Sequence, residues 1–196
     1  MAPRDIDSVF QVVKRHWSSY PVDVVRIITE CGIHYAEDAL DPDISGMIDK
    51  KGPDGRYRIV INQRDGHARK RFTAAHELGH YVYHRGLIGD GIDDSRLYRS
   101  IPAGEYHNLR ISPKHEQEAN QFAANLLMPK HLLAQLEGKS IPEMAAALGV
   151  SVPAMRVRKG LPPYPPASEE FEAADQPEGD DEDALKPLDG APMFKR

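Results

Sequence analysis

Cysteine is nearly absent. Cys31 stands alone among 196 residues, so no internal disulfide can form and a reducing compartment fits the chain. No apolar run approaches the ~18 residues that mark a membrane-spanning helix. The opening Met1-Ala2-Pro3-Arg4-Asp5-Ile6-Asp7 has charges where a signal peptide needs an apolar core. A disulfide-stapled scaffold, a membrane span and a long coiled coil are not expected; a cytoplasmic protein is. Excess positive charge is missing too. Residues 161–196 carry 10 acidic and 3 basic side chains, leaving 22 basic and 20 acidic in residues 1–160. That near-neutral stretch offers no basic field for nucleic acid.

What the chain does have is enough apolar material, 40% of residues, to build one core. Ile6, Val9, Phe10, Val13 and Trp17 recur at helical spacing. A second helix is expected from Pro21, near its first position, to a stop at Gly32. Residues 44–48 and 57–61 are β-rich and flank an Asp54-Gly55 turn signal, which predicts a small antiparallel sheet; residues 33–35 could add a short strand. Helical spacing returns over 68–84. Residues 86–112 read as a long ordered loop or lid. Ser112-Pro113 then opens a helix with an apolar stripe of Ala119, Phe122, Ala123, Leu126 and Leu127, ended by Pro129.

Two short helices, about 142–148 and 152–159, close a domain of residues 1–160, with 141–160 as a helical hairpin. Residues 161–196 begin Pro-rich, become acidic, and contain too little apolar material to offset the entropy of ordering. They are expected to form a disordered tail that aids solubility. The class is α+β, mostly helical with a small sheet. No internal repeat is visible.

His76-Glu77-Leu78-Gly79-His80 matches H-E-x-x-H within the 68–84 helix. Residues four apart share a helix face, so both imidazoles can reach one divalent ion. Glu77 lies roughly 100° round the helix from His76 and can meet a water on that ion without coordinating it. Zinc lowers the pKa of such a water to about 7, and the carboxylate takes its proton. A catalytic zinc needs a third protein ligand and an open position. The longer pattern with Gly and His at positions 83 and 86 is ruled out, because Tyr83 and Gly86 stand there. His84 lies about 12 Å along the axis from His76, too far to share an ion. It reads as a supporting or substrate-side group, or as a packed helix residue. Histidines 16, 34, 67, 107, 115 and 131 show no ligand spacing. The third ligand should come from His115-Glu116-Gln117-Glu118-Ala119-Asn120. Periodicity alone does not choose between Glu116 and Glu118, but relative to Ala119 Glu116 falls within the apolar stripe and Glu118 at its edge, which slightly favours Glu116.

The stretches Arg71 to Tyr81 and Glu116 to Pro129 resemble the ImmA/IrrE family of metallo-endopeptidases, as do Pro21-Val22-Asp23-Val24-Val25, Cys31-Gly32-Ile33 and Ile44-Ser45-Gly46-Met47-Ile48. The likeness spans roughly residues 18–160. It implies a thermolysin-like zinc protease with His76, His80 and Glu118 holding one catalytic Zn²⁺ and Glu77 as base. It also implies a protein substrate, typically a helix-turn-helix repressor, whose backbone pairs with an edge strand. Residues 44–48 or 57–61 could supply that edge. Tyr81, Tyr98, Tyr106, His107 and Arg110 are candidates to stabilise the developing oxyanion. Alternatives are a non-catalytic protein that sequesters a repressor, and a DNA-binding regulator using residues 141–159 with Arg156, Arg158 and Lys159 on phosphates. Cys31 reads as a small core residue, and Arg69-Lys70-Arg71 as a solvated helix face.

Overall fold

The computed structural model describes residues 6–52, 55–88, 92–95 and 111–164. In chain order these form α1 (Ile6–His16), α2 (Val24–Glu30), β1 (His34–Asp38), β2 (Ile44–Asp49), β3 (Arg58–Asn62), α3 (His67–Tyr83), a 3-10 turn (Arg85–Leu87), β4 (Ile92–Ser95), α4 (Pro113–Leu127), α5 (Lys130–Gln135), α6 (Ile141–Leu148) and α7 (Val152–Arg158). The α+β class expected from sequence is the one observed. The tail expected beyond residue 164 lies outside the described residues. No described helix is long and apolar enough to cross a membrane.

β2 and β3 pair antiparallel, with Ile48 opposite Ile59 and Met47 opposite Val60. At the end of the hairpin next to its connecting loop, Arg58 donates from Nε and an Nη to the two carboxylate oxygens of buried Asp49, at 3.2 and 2.7 Å. β1 instead joins β3 in parallel, Tyr35 beside Ile59, so the sheet is mixed. The cause is the loop after β1, which carries the chain one strand-width too far and leaves a slot that β3 fills. Buried Asn62 at the end of β3 holds that loop by donating to the carbonyls of Leu40, Asp41 and Ile44. The strand order is β1-β3-β2-β4. Both β2 and β3 are therefore interior, which corrects the expectation that one of them is an edge; the edges are β1 and β4. Strand β4 also interrupts the 86–112 stretch that reads as irregular.

α2 begins at Asp23, whose side chain accepts from the Arg26 N–H at 3.0 Å, so Pro21 precedes the helix rather than opening it. Cys31 caps its far end and is buried.

α3 lies between the sheet and α4. Residues 73–82 are all buried, so this helix has no solvated face over ten residues, and its polar groups must find partners inside the protein. Against the sheet, a Cβ on Gly46 would meet Thr73 Cγ2 at 2.5 Å, so only glycine lets β2 pass beneath the helix. On the opposite side Ala119 and Phe122 of α4 press on Gly79. The core gathers Ile48, Ile59, Ile61, Leu78, Leu126, Leu132 and Met155, among others, from every layer.

Candidate metal centre

Helix spacing places His76, Glu77 and His80 inside the protein, at 2, 0 and 0% exposure. The Nε2 atoms of His76 and His80 approach to 2.9 Å. α4 runs back along α3: His115 and Glu118 lie beside His84, Ala119 beside Gly79, and Asn120 beside His76. The two helices come this close because residue 79 lacks a side chain. A Cβ there would stand 3.1 Å from Ala119 Cα and 3.2 Å from Phe122 Cβ, tighter than most real contacts.

With Ala119 fixed against Gly79, the residue three before it shares its inward face. That residue is Glu116. Its two oxygens lie 3.2 Å from His76 Nε2 and 3.3 Å from His80 Nε2, and the ligand atoms of these three residues lie within 4.8 Å of one another. Glu118, the carboxylate implied by the resemblance, does not join them. One position from Ala119, it turns about 100° off that face, and its Oε2 sits 2.8 Å from His84 Nε2 instead. In the structure it is Glu116, and not Glu118, that stands with His76 and His80.

The positions of the protons show what this cluster can hold. His76 Nδ1–H donates to Asn120 Oδ1 at 2.8 Å, which turns Nε2 toward His80 and Glu116. Burial first of all favours the neutral form of both His80 and His84. Burial pushes the Glu116 carboxyl up, but hydrogen bonding and charge from His76 and His80 outweigh it and hold the group well below the usual carboxylate range. The same three groups could instead face a divalent cation, Glu116 supplying negative charge and the ring Nε2 atoms lone pairs. Two imidazoles and a carboxylate, drawn from two helices, are a donor set suited to zinc.

Other sequence candidates fall elsewhere. Tyr81 is 1% exposed in the core, edge-to-face with Tyr57 at 5.0 Å and under the Arg85 guanidinium. Tyr98, Tyr106, His107 and Arg110 lie outside the described residues. Arg69, Lys70 and Arg71 are not a solvated face: Arg69 donates to Ser45 Oγ, Lys70 to Glu37, and Arg71 to the carbonyls of Gly149 and Val22. In α7, Arg158 donates to the Met128 carbonyl and Arg156 to that of Pro162, while Ala154 and Met155 are buried. Two of the three cations proposed for phosphates are thus directed at the protein's own backbone.

Two supporting residues escaped the sequence reading. Asn120 orients His76. His115 accepts from the Ser112 N–H to complete a capping box at the start of α4, and its ring lies 4.6 Å from that of His84. The only sequence signal for either was its distance from Ala119, which gains meaning once Gly79 is known to be the contact.

The family model described as the IrrE N-terminal-like domain, a peptidase family, matches residues 32–158. The chain belongs to this family. It is a metallopeptidase by that membership, as the early resemblance implied, and such an enzyme takes a protein substrate. A relative from Bacillus phage phi105, named an uncharacterized immunity region protein 2, is 27% identical over 145 residues, covering 73% of this chain and 81% of the phage protein.

Proposed function

We propose that this IrrE-like protein is an endopeptidase in which His76, His80 and Glu116 hold one Zn²⁺, with Glu77 as the base, and that it cuts a cytoplasmic helix-turn-helix repressor. The observation that carries this reading is the meeting of three donor groups from α3 and α4, with His76 and His80 buried and Glu116 partly so. When bound, the ion supplies Lewis acidity toward water and toward the scissile carbonyl. The residues of the chain do the rest. Asn120 fixes the His76 ring. Glu77, beside His76 yet outside the donor set, takes a proton from water as the water oxygen adds to the carbonyl carbon. It then delivers that proton to the departing amide nitrogen as the C–N bond breaks. Burial on all sides of α3 keeps bulk water from competing for these hydrogen bonds. Support for a repressor as substrate comes from the family resemblance and from the relative's place in a phage immunity region.

The test pairs wild type with Glu77→Gln, both loaded with Zn²⁺, against helix-turn-helix repressors encoded in the same genome, with fragments read by mass spectrometry. Wild type is expected to produce one or a few defined fragments. The variant should retain the metal and cut about 10²–10⁴-fold more slowly. If Glu77→Gln inactivates the repressor as well as wild type does, hydrolysis is not the activity, and sequestration takes its place.

A further inference from the structure

The two histidines are supported in different ways. Behind His76 stands a neutral amide, Asn120, at 2.8 Å. Behind His80 stands a chain of two more ionisable groups: His80 Nδ1 is 3.1 Å from His84 Nδ1, and His84 Nε2 is 2.8 Å from Glu118 Oε2. His84 is 5% exposed, and its ring lies between those of His80, at 5.3 Å, and His115, at 4.6 Å. Spacing along α3 alone makes His84 look like a misplaced ligand, and Glu118 looks like a ligand that missed.

We propose that His84 and Glu118 are positioning residues that fix which nitrogen of His80 carries its proton, so that Nε2 faces the metal with a lone pair. This rests on the reading of His80 as a ligand. An ionised carboxylate can only accept, so His84 must donate to Glu118 from Nε2. The neutral His84 ring then has a lone pair at Nδ1, and His80 must donate to it from Nδ1. That leaves His80 Nε2 without a proton, directed toward His76 and Glu116. Each bond permits one direction, and the direction is set at the outer end by Glu118. His115, itself locked by the Ser112 cap, packs on His84 and holds the plane in which both bonds are made. A carboxylate at the end of the chain also raises the electron density at His80 more than the neutral amide raises it at His76.

The experiment measures Zn²⁺ affinity by competition with a chelator for wild type, His84→Ala, His84→Asn, Glu118→Ala and His80→Ala. His84→Ala is expected to lose about 10–100-fold in affinity. His84→Asn places an amide oxygen where Nδ1 was, copying the support behind His76, and should recover most of the loss. Glu118→Ala should fall between wild type and His84→Ala. An affinity for His84→Ala within twofold of wild type overturns the proposal, as does a His84→Asn no better than His84→Ala. His80→Ala separates this from failure of the parent reading: if that variant binds Zn²⁺ as wild type does, His80 is not a ligand at all. Should His84→Ala fail to fold, ¹⁵N spectra of Zn²⁺-loaded wild type decide the matter. A hydrogen on His80 Nδ1 and on His84 Nε2 supports the relay; a hydrogen on His84 Nδ1 overturns it.

Discussion

The α3–α4 face and the α6–α7 hairpin contain similar ingredients, namely alanines, a glycine, several charges and a capping box each, yet they use their polar groups in opposite ways. In the hairpin the capping groups and two arginines are answered by the protein's own backbone and caps. Ser140 and Glu143 cap α6 reciprocally, Ser151 caps α7, and Arg158 and Arg156 donate to backbone carbonyls. At the α3–α4 face the polar atoms of His76, His80 and Glu116 point at one another, and their proton-bearing nitrogens are committed behind them. A polar group answered by backbone is architecture. Polar atoms that converge from two elements, mostly buried, are arranged to take up a ligand between them.

Several substitutions would break or sharpen this contrast. The largest effect is expected from Glu116→Ala, which should abolish stoichiometric Zn²⁺ binding in elemental analysis, whereas Glu118→Ala at saturating Zn²⁺ keeps one ion. Equal loss in both would erase the distinction between the two carboxylates. Next comes Gly79→Ala, which drives a methyl group into Ala119 and Phe122. Overpacking of this kind costs about 1–3 kcal/mol, measurable by urea titration, and should weaken Zn²⁺ binding as α4 moves away. Ser140→Ala in the hairpin should cost about 1 kcal/mol through loss of the cap and leave Zn²⁺ affinity untouched. A drop in affinity there would mean that the hairpin is part of the site.

The smallest effect lies far from both regions. Glu30 on α2 is held at a pKa of about 2 by Arg15 first, then His16 and Arg26. Because the folded value is depressed from 4.5, its contribution is complete above the unfolded pKa and fades as pH falls from there toward about 2. Glu30→Gln should therefore lower Tm slightly at pH 7, by an amount that vanishes near pH 2. A constant offset at all pH values would show that the carboxylate charge is not what matters. The ion pairs lie at the solvent-exposed surface, with Arg15 and Arg26 more than half exposed, so the effect is small.

Legibility in the sequence followed the range of the interaction. H-E-x-x-H, the Ser112-Pro113 start of α4 and the 141–159 hairpin are local patterns, and they stand where their spacing put them. The class was equally visible. α5 went unread because Pro129, taken as the end of α4, also serves as the N-cap of the next helix. The parallel placement of β1, the burial of β2 and β3 within the sheet, and the use of Arg69, Lys70 and Arg71 each depend on a partner remote in the chain. The third carboxylate shows this most sharply. The apolar stripe leaned toward Glu116 and family likeness toward Glu118. What separates them is a helix crossing at Gly79 and Ala119, forty residues apart in the chain, which no window of sequence around either glutamate contains.

The matched family segment starts at residue 32, but the helix presenting Glu116 is fastened by a residue upstream of it. The Trp17 indole N–H donates to the Leu126 carbonyl at 3.1 Å, and His131 Nε2 donates to the Trp17 carbonyl at 2.6 Å. Val22 likewise lends its carbonyl to Arg71. A fragment trimmed to the family boundaries would thus keep every metal ligand and lose the clasp at the far end of α4. The leading helices are not an appendage to the catalytic unit; they are its buckle.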